Sequence, residues 1–151
     1  MPDADPLLAI DPFILLMDAR HQLFSAIDAV EGGPEGSTEA GLQRIAVALG
    51  VMVAHDRALT DVVHALSEGS PPLDEVAPPE ARRAPATRED AQQSRSALLE
   101  SLGNTRASLD TEVAVPWTGR ETWHVHLVGL AMLEGAQAHA LRTGEPLPAS
   151  L

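Results

Sequence analysis

Apolar residues recur at spacings of three and four along four segments of this chain, and that period predicts four amphipathic α-helices. The first is predicted to follow Asp11-Pro12 and to end at Gly32, and the second to follow the capping residue Thr38. No stretch alternates polar and apolar residues for long enough to predict a strand, so the predicted fold class is all-α. The stripe predicted for the second helix comprises Leu42, Ile45, Leu49, Met52, Asp56, Leu59, Val63 and Leu66.

Residues 69–86 contain five prolines and predict a long surface crossover between the second and third helices. Thr87 is predicted to cap the third helix, and the fourth is predicted to end near Arg142 with Gly144 as its stop. Four helices joined in this way predict a four-helix bundle, formed as a single domain over residues 1–151. The apolar positions assigned to the third helix are Ala91, Leu98, Leu102, Leu109 and Val113.

Three charged residues interrupt the apolar stripes: Arg20 in the first helix, Asp56 in the second and Glu134 in the fourth. A buried carboxylate without a partner is costly, so each acid should be paired, neutralised or bound to a metal. We favour a guanidinium held by two carboxylates, with Arg20 as the shared cation. The stripe on the fourth helix comprises Trp123, Leu127, Leu130, Glu134, Gln137 and Leu141.

A metal site is the alternative for the same cluster. Glu134 together with His55, His126 or Asp56 would form a mixed carboxylate and imidazole site suited to zinc, manganese, iron or nickel. The chain has no cysteine, so a metal would have to be held by His, Asp or Glu, and thiolate chemistry and disulfides are excluded. No cofactor is favoured over the salt-bridged arrangement.

The two tryptophans, Trp117 and Trp123, stand at the entrance to the fourth helix. They are interpreted as packing anchors, and their position would also suit an aromatic wall for a small ligand. The candidate ligand pocket and polar core cluster therefore comprises Arg20, Asp56, Glu134, Gln137, Trp117 and Trp123.

Charge and hydropathy restrict the expected partners. Ten Lys and Arg against 22 Asp and Glu give a net charge of −12, which would repel a phosphate backbone, so nucleic-acid binding is not expected. The longest apolar run, residues 45–54, is too short to span a bilayer, and residues 1–6 carry no positive n-region. A cytoplasmic protein without a membrane partner is therefore expected.

The order of these segments, with the loop Val115-Pro116-Trp117-Thr118-Gly119 and the motif over residues 125–142, resembles the DinB/YfiT-like superfamily. The resemblance covers most of the chain. This superfamily of four-helix bundles includes mycothiol-dependent maleylpyruvate isomerase-like enzymes. Its metal-binding members use three histidines, one on the second helix and two spaced by four residues on the last.

By that resemblance, the histidine pair of the last helix corresponds to Leu130 and Glu134, and the second-helix ligand to Val51 or His55. His126 matches a histidine often seen one turn before the pair. The resemblance implies a homodimer that is metal-free or binds a small ligand, in a stress-associated role. The alternative that it implies is a divergent metal-dependent thiol S-transferase, isomerase or hydrolase.

Overall fold

The computed structural model describes residues 10–105 and 108–150, and it is mostly helical. This confirms the predicted all-α class. Residues 1–6, whose sequence carries no positive n-region, lie outside the described residues. Among the described helices, none is long and apolar enough to cross a membrane. The described elements are α1 (Pro12–Glu31), α2 (Glu39–Glu68), α3 (Arg88–Thr105), β1 (Glu112–Val115), β2 (Gly119–Thr122) and α4 (Trp123–Thr143).

The chain divides into two compact units. The first comprises Met1–Ile45 and Thr122–Leu151, and the second comprises Ala46–Glu121. Helix α2 contributes its first turns to the first unit and the rest of its length to the second.

In the first unit, α1 packs against α4. The Asp11 side chain accepts a hydrogen bond from the Phe13 N–H and Pro12 occupies the first turn, so α1 begins where its sequence predicts. Gly144 ends α4 in the left-handed conformation, at φ 76°, as expected for a helix-terminating glycine. The whole predicted stripe of α4 is buried, and α1 buries Leu16, Leu23, Ala26 and Ile27 against it.

The second unit is built around α2 and α3. Thr87 and Asp90 cap α3 reciprocally. The Thr87 N–H donates to the Asp90 carboxylate at 3.0 Å, and the Asp90 N–H donates to the Thr87 hydroxyl oxygen at 3.1 Å. The buried stripe of α2 is as predicted in its middle, but Leu42 and Leu66 at its ends are 49% and 50% exposed. The predicted stripe is therefore buried along the middle of α2, and its two end positions are exposed.

The proline-rich crossover forms two short 3₁₀ turns, Leu73–Glu75 and Pro79–Arg82, and no α-helix. Its end lies directly on the α2 backbone, where the Ala86 N–H donates to the Ala46 carbonyl at 3.0 Å. Gly50, one turn further along α2, makes this close approach possible because it has no side chain.

Two expectations about residues 108–122 were wrong, and residues 106–107, which the predicted third helix included, lie outside the described residues. Helix α3 ends at Thr105, so Val113 lies in strand β1, and a short hairpin exists where no strand was expected. Val113 and Val115 alternate with exposed neighbours and are buried. Strands of four residues are too short for such alternation to be distinguished from a helical spacing. Gly119, the first residue of β2, follows the turn with a φ of 111°, which glycine adopts without strain.

Gly50→Ala tests the contact between the crossover and α2. A Cβ at residue 50 would lie 2.0 Å from the Ala84 carbonyl oxygen, so the backbone of one segment must shift. We expect the free energy of unfolding to fall by about 1–3 kcal/mol in urea denaturation. Gly103→Ala in α3 is the matched control, because its Cβ would meet nothing within 4 Å. The control should change stability by less than about 1 kcal/mol, and equal losses in both variants would contradict this account.

Candidate functional site

A bidentate ion pair joins the two helices of the first unit. The Arg20 Nε donates to Glu134 Oε1 at 2.8 Å, and Nη2 donates to Oε2 at 3.0 Å. The Glu134 side chain is fully buried and that of Arg20 is 13% exposed. The Arg20 guanidinium also lies 5.6 Å from the centre of the Phe24 ring. The partner expected for Glu134 is therefore present, and both of its oxygens receive hydrogen bonds.

The geometry of the Arg20–Glu134 ion pair determines its contribution to the stability of the fold. Removing a carboxylate from water costs several kcal/mol, and the attraction of a cation offsets that cost only when the geometry and the hydrogen bonds are good. The parallel N–H donors of Arg20 meet that condition. The pair contributes little net stability compared with apolar residues of the same size, but removing one partner leaves a buried charge uncompensated.

Asp56 has its own partners in the second unit, both on α3. Arg95 Nε donates to Asp56 Oδ1 at 3.0 Å, and the Ser94 hydroxyl donates to Oδ2 at 2.9 Å. The side chains of Asp56 and Arg95 are 0% and 8% exposed. Arg95 and not Arg20 is thus the arginine that pairs with Asp56, and the apolar stripes had not predicted this partner. The available signal was the spacing of seven between Ala91 and Leu98 in the α3 stripe, because Ser94 and Arg95 lie at the intermediate positions where an apolar residue is missing.

Gln137 continues the polar row on α4, one turn after Glu134, and is fully buried. Its Nε2 donates to the backbone carbonyl of Pro148. Its Oε1 is buried and has no hydrogen-bond partner among the described residues. Buried amide oxygens rarely lack a hydrogen-bond partner, so Gln137 Oε1 is an acceptor to which a further donor is expected to bind.

The two tryptophans belong to different units. Trp123 is the first residue of α4, is 2% exposed, and meets the His126 ring edge-on with 6.0 Å between ring centres. Trp117 is half-buried in the turn between β1 and β2. Trp123 therefore packs as an anchor of the first unit, and a role of either ring in ligand binding stays a prediction.

His55 lies half-buried on α2, in the second unit. Its Nδ1 is 2.9 Å from the Val51 carbonyl one turn earlier, so Nδ1 carries the proton and Nε2 keeps the lone pair. Burial lowers the pKa of His55, against the opposing effects of the Val51 hydrogen bond and the charge of Asp56. The imidazole is therefore neutral at neutral pH, which is the form that binds metals.

Within residues 10–105 and 108–150, no three His, Cys, Asp or Glu side chains form a group that could hold a metal. The structure thus brings Arg20, Glu134 and Gln137 into the buried interior of one unit. It places the candidate ligand His55 in the other. Metal binding by His55, His126 or Glu134 stays a prediction.

Comparisons with known proteins found no match for this chain among family models, curated proteins or solved structures.

Arg20→Met tests the ion pair. Removing the guanidinium leaves Glu134 buried without a cation, and we expect the free energy of unfolding to fall by about 3–5 kcal/mol in chemical denaturation. Arg142→Met is the matched control, because Arg142 also bridges α4 to α1, through Gln22 and Ser25, but at an exposed position. The control should cost no more than about 1 kcal/mol. A near-normal midpoint for Arg20→Met would show that Glu134 is not held in this way.

Proposed function

We propose that this protein is a metal-independent, small-ligand-binding member of the DinB/YfiT-like superfamily. The observation that supports the proposal most is the state of Glu134. By the resemblance, this residue occupies a metal-ligand position, yet both of its oxygens accept hydrogen bonds from Arg20. An arginine then supplies the positive charge that a metal would supply in other members.

Displacement of Arg20 by a metal would be unfavourable in this proposal. Glu134 would have to release two charge-assisted hydrogen bonds, and the largely buried guanidinium would lose its carboxylate. The ligand is therefore expected to bind beside the intact ion pair.

Small-molecule sites are mostly apolar and carry a few polar groups that orient the ligand. The buried face of α4 has this composition, since Leu127, Leu130 and Leu141 surround only two polar side chains, Glu134 and Gln137. Glu134 is occupied by Arg20, whereas Gln137 Oε1 on the same stripe is buried without a hydrogen-bond partner among the described residues. His124 Nε2, in the first turn of α4, is a second such atom.

A divergent metal-dependent thiol transferase, isomerase or hydrolase is the alternative function. One observation favours it: the neutral His55 imidazole is oriented by a backbone carbonyl through Nδ1, as metal-ligating histidines commonly are. In that case the metal would activate a thiol or water as a Lewis acid.

Metal analysis separates the two functions. Protein purified without a chelator or an affinity-tag metal is expected to contain only substoichiometric transition metal, and a chelator should leave its thermal midpoint unchanged. One equivalent of metal per chain, lost in Glu134→Gln, would contradict the proposal and support the metal-dependent enzyme. Gln retains nearly the shape of Glu but is a much poorer ligand, which makes Glu134→Gln the informative variant.

We further propose that the protein is a homodimer. Ile14 and Met17 lie one turn apart on α1 and are 59% and 72% exposed, and packing a second copy of the chain against them would remove this apolar surface from water. Light scattering should then give twice the 15.9 kDa mass of one chain. Met17→Glu should lower that mass, whereas Met132→Glu on α4, 49% exposed, should leave it unchanged. The monomer mass at every concentration would rule out a stable dimer.

A further inference from the structure

The segment that follows α4 turns back along the helix. Gly144 reverses the chain in the left-handed conformation, and Arg44 Nη2 donates to the carbonyls of Ala140 and Glu145 at 2.9 and 2.8 Å. Pro148, half-buried, then brings its carbonyl to the Gln137 amide, two turns before the end of the helix. Residues 145–150 therefore form a C-terminal segment whose polar contact with the interior of the first unit is Gln137.

The orientation of the Gln137 amide is decided by this contact. A carbonyl can only accept, so the NH₂ group must face Pro148, because a flipped amide would place two acceptors against each other. Oε1 is consequently the atom that stays buried without a partner among the described residues.

The chemistry of proline explains why the amide is only half satisfied. A glutamine amide can bind an extended residue through two hydrogen bonds, one to its carbonyl and one from its N–H. Proline has a carbonyl but no N–H. Pro148 therefore satisfies Nε2 and has no donor to offer Oε1.

We propose that Gln137 is a binding site for a small ligand with a primary carboxamide, and that Pro148 is its weaker internal occupant. The proposal deepens the small-ligand function and rests on it. A primary carboxamide accepts from Nε2 through its oxygen and donates to Oε1 through its N–H, which closes a ring of two hydrogen bonds. A carboxylate lacks the donor and would place its charge against Oε1, so the site should reject it.

Ligand entry requires the C-terminal segment to move away from Gln137. The ligand carbonyl replaces the Pro148 carbonyl at Nε2, so the half-buried residues 147–149 must leave their positions. Arg44 also binds the Ala140 carbonyl, which belongs to α4 itself, and this contact can persist while residues 145–150 move.

The first test is a titration of the full-length, ¹⁵N-labelled protein with acetamide, and in parallel with acetate at equal ionic strength. Acetamide should shift the side-chain NH₂ signal of Gln137 and the backbone amides of the C-terminal segment saturably, and acetate should not. Gln137→Met should abolish the response. Gln22→Met, which removes an amide from α1, is the control and should retain it. Equal responses to acetate, no response in the parent protein, or a response that survives Gln137→Met would overturn the proposal.

A second pair of variants keeps the proposal testable if Gln137→Met fails to fold. Pro148→Ala creates an N–H that can donate to Oε1, so the segment should exchange its amide hydrogens several-fold more slowly and respond to acetamide only at higher concentration. Pro146→Ala is the matched control, because it makes the same covalent change at an exposed position of the segment. Identical behaviour of the two variants would overturn the proposal.

Metal analysis of the parent protein does not depend on either result, so failure of this inference and failure of the proposed function are distinguishable.

Discussion

The structure of the first unit depends on one requirement: a carboxylate in the middle of an apolar helix face must receive hydrogen bonds on both of its oxygens. Glu134 meets it through the Nε and Nη2 of Arg20. Successive residues of a helix are rotated by about 100°, so a one-residue shift of α1 would turn Arg20 away from Glu134. The ion pair therefore specifies how α1 and α4 face each other, whereas the leucines around it supply most of the driving force for packing.

The second unit meets the same requirement with different residues, since Arg95 and Ser94 of α3 each satisfy one oxygen of Asp56. Each unit thus holds its buried acid with an arginine from its own helices. The consequence for function is that these charges are already neutralised within the protein. Among the described residues, Gln137 Oε1 and His124 Nε2 are the buried side-chain atoms without a hydrogen-bond partner, and Pro148 satisfies the Gln137 amide only in part.

The sequence alone was informative about the helices and about which residues are buried. Helix α1 begins and ends where Asp11-Pro12 and Gly32 indicate, α2 begins after Thr38, and α4 ends before Gly144, because capping and helix-ending residues act locally. The periodic stripes also identified Asp56 and Glu134 as buried acids. The hairpin of β1 and β2 was not predicted because strands of four residues carry too little pattern, and for the same reason the predicted third helix included Val113 of β1.

What the sequence by itself determined is therefore the all-α class, most helix limits, and the presence of charges on apolar faces. Periodicity assigns a residue to a face of its own helix, and that assignment needs no knowledge of other helices. Only the tertiary structure decided the partners: Arg20 with Glu134, Arg95 with Asp56, and the C-terminal segment with Gln137. These contacts join residues up to 114 positions apart. They depend on how whole helices pack, which the spacing of residues within one helix does not encode.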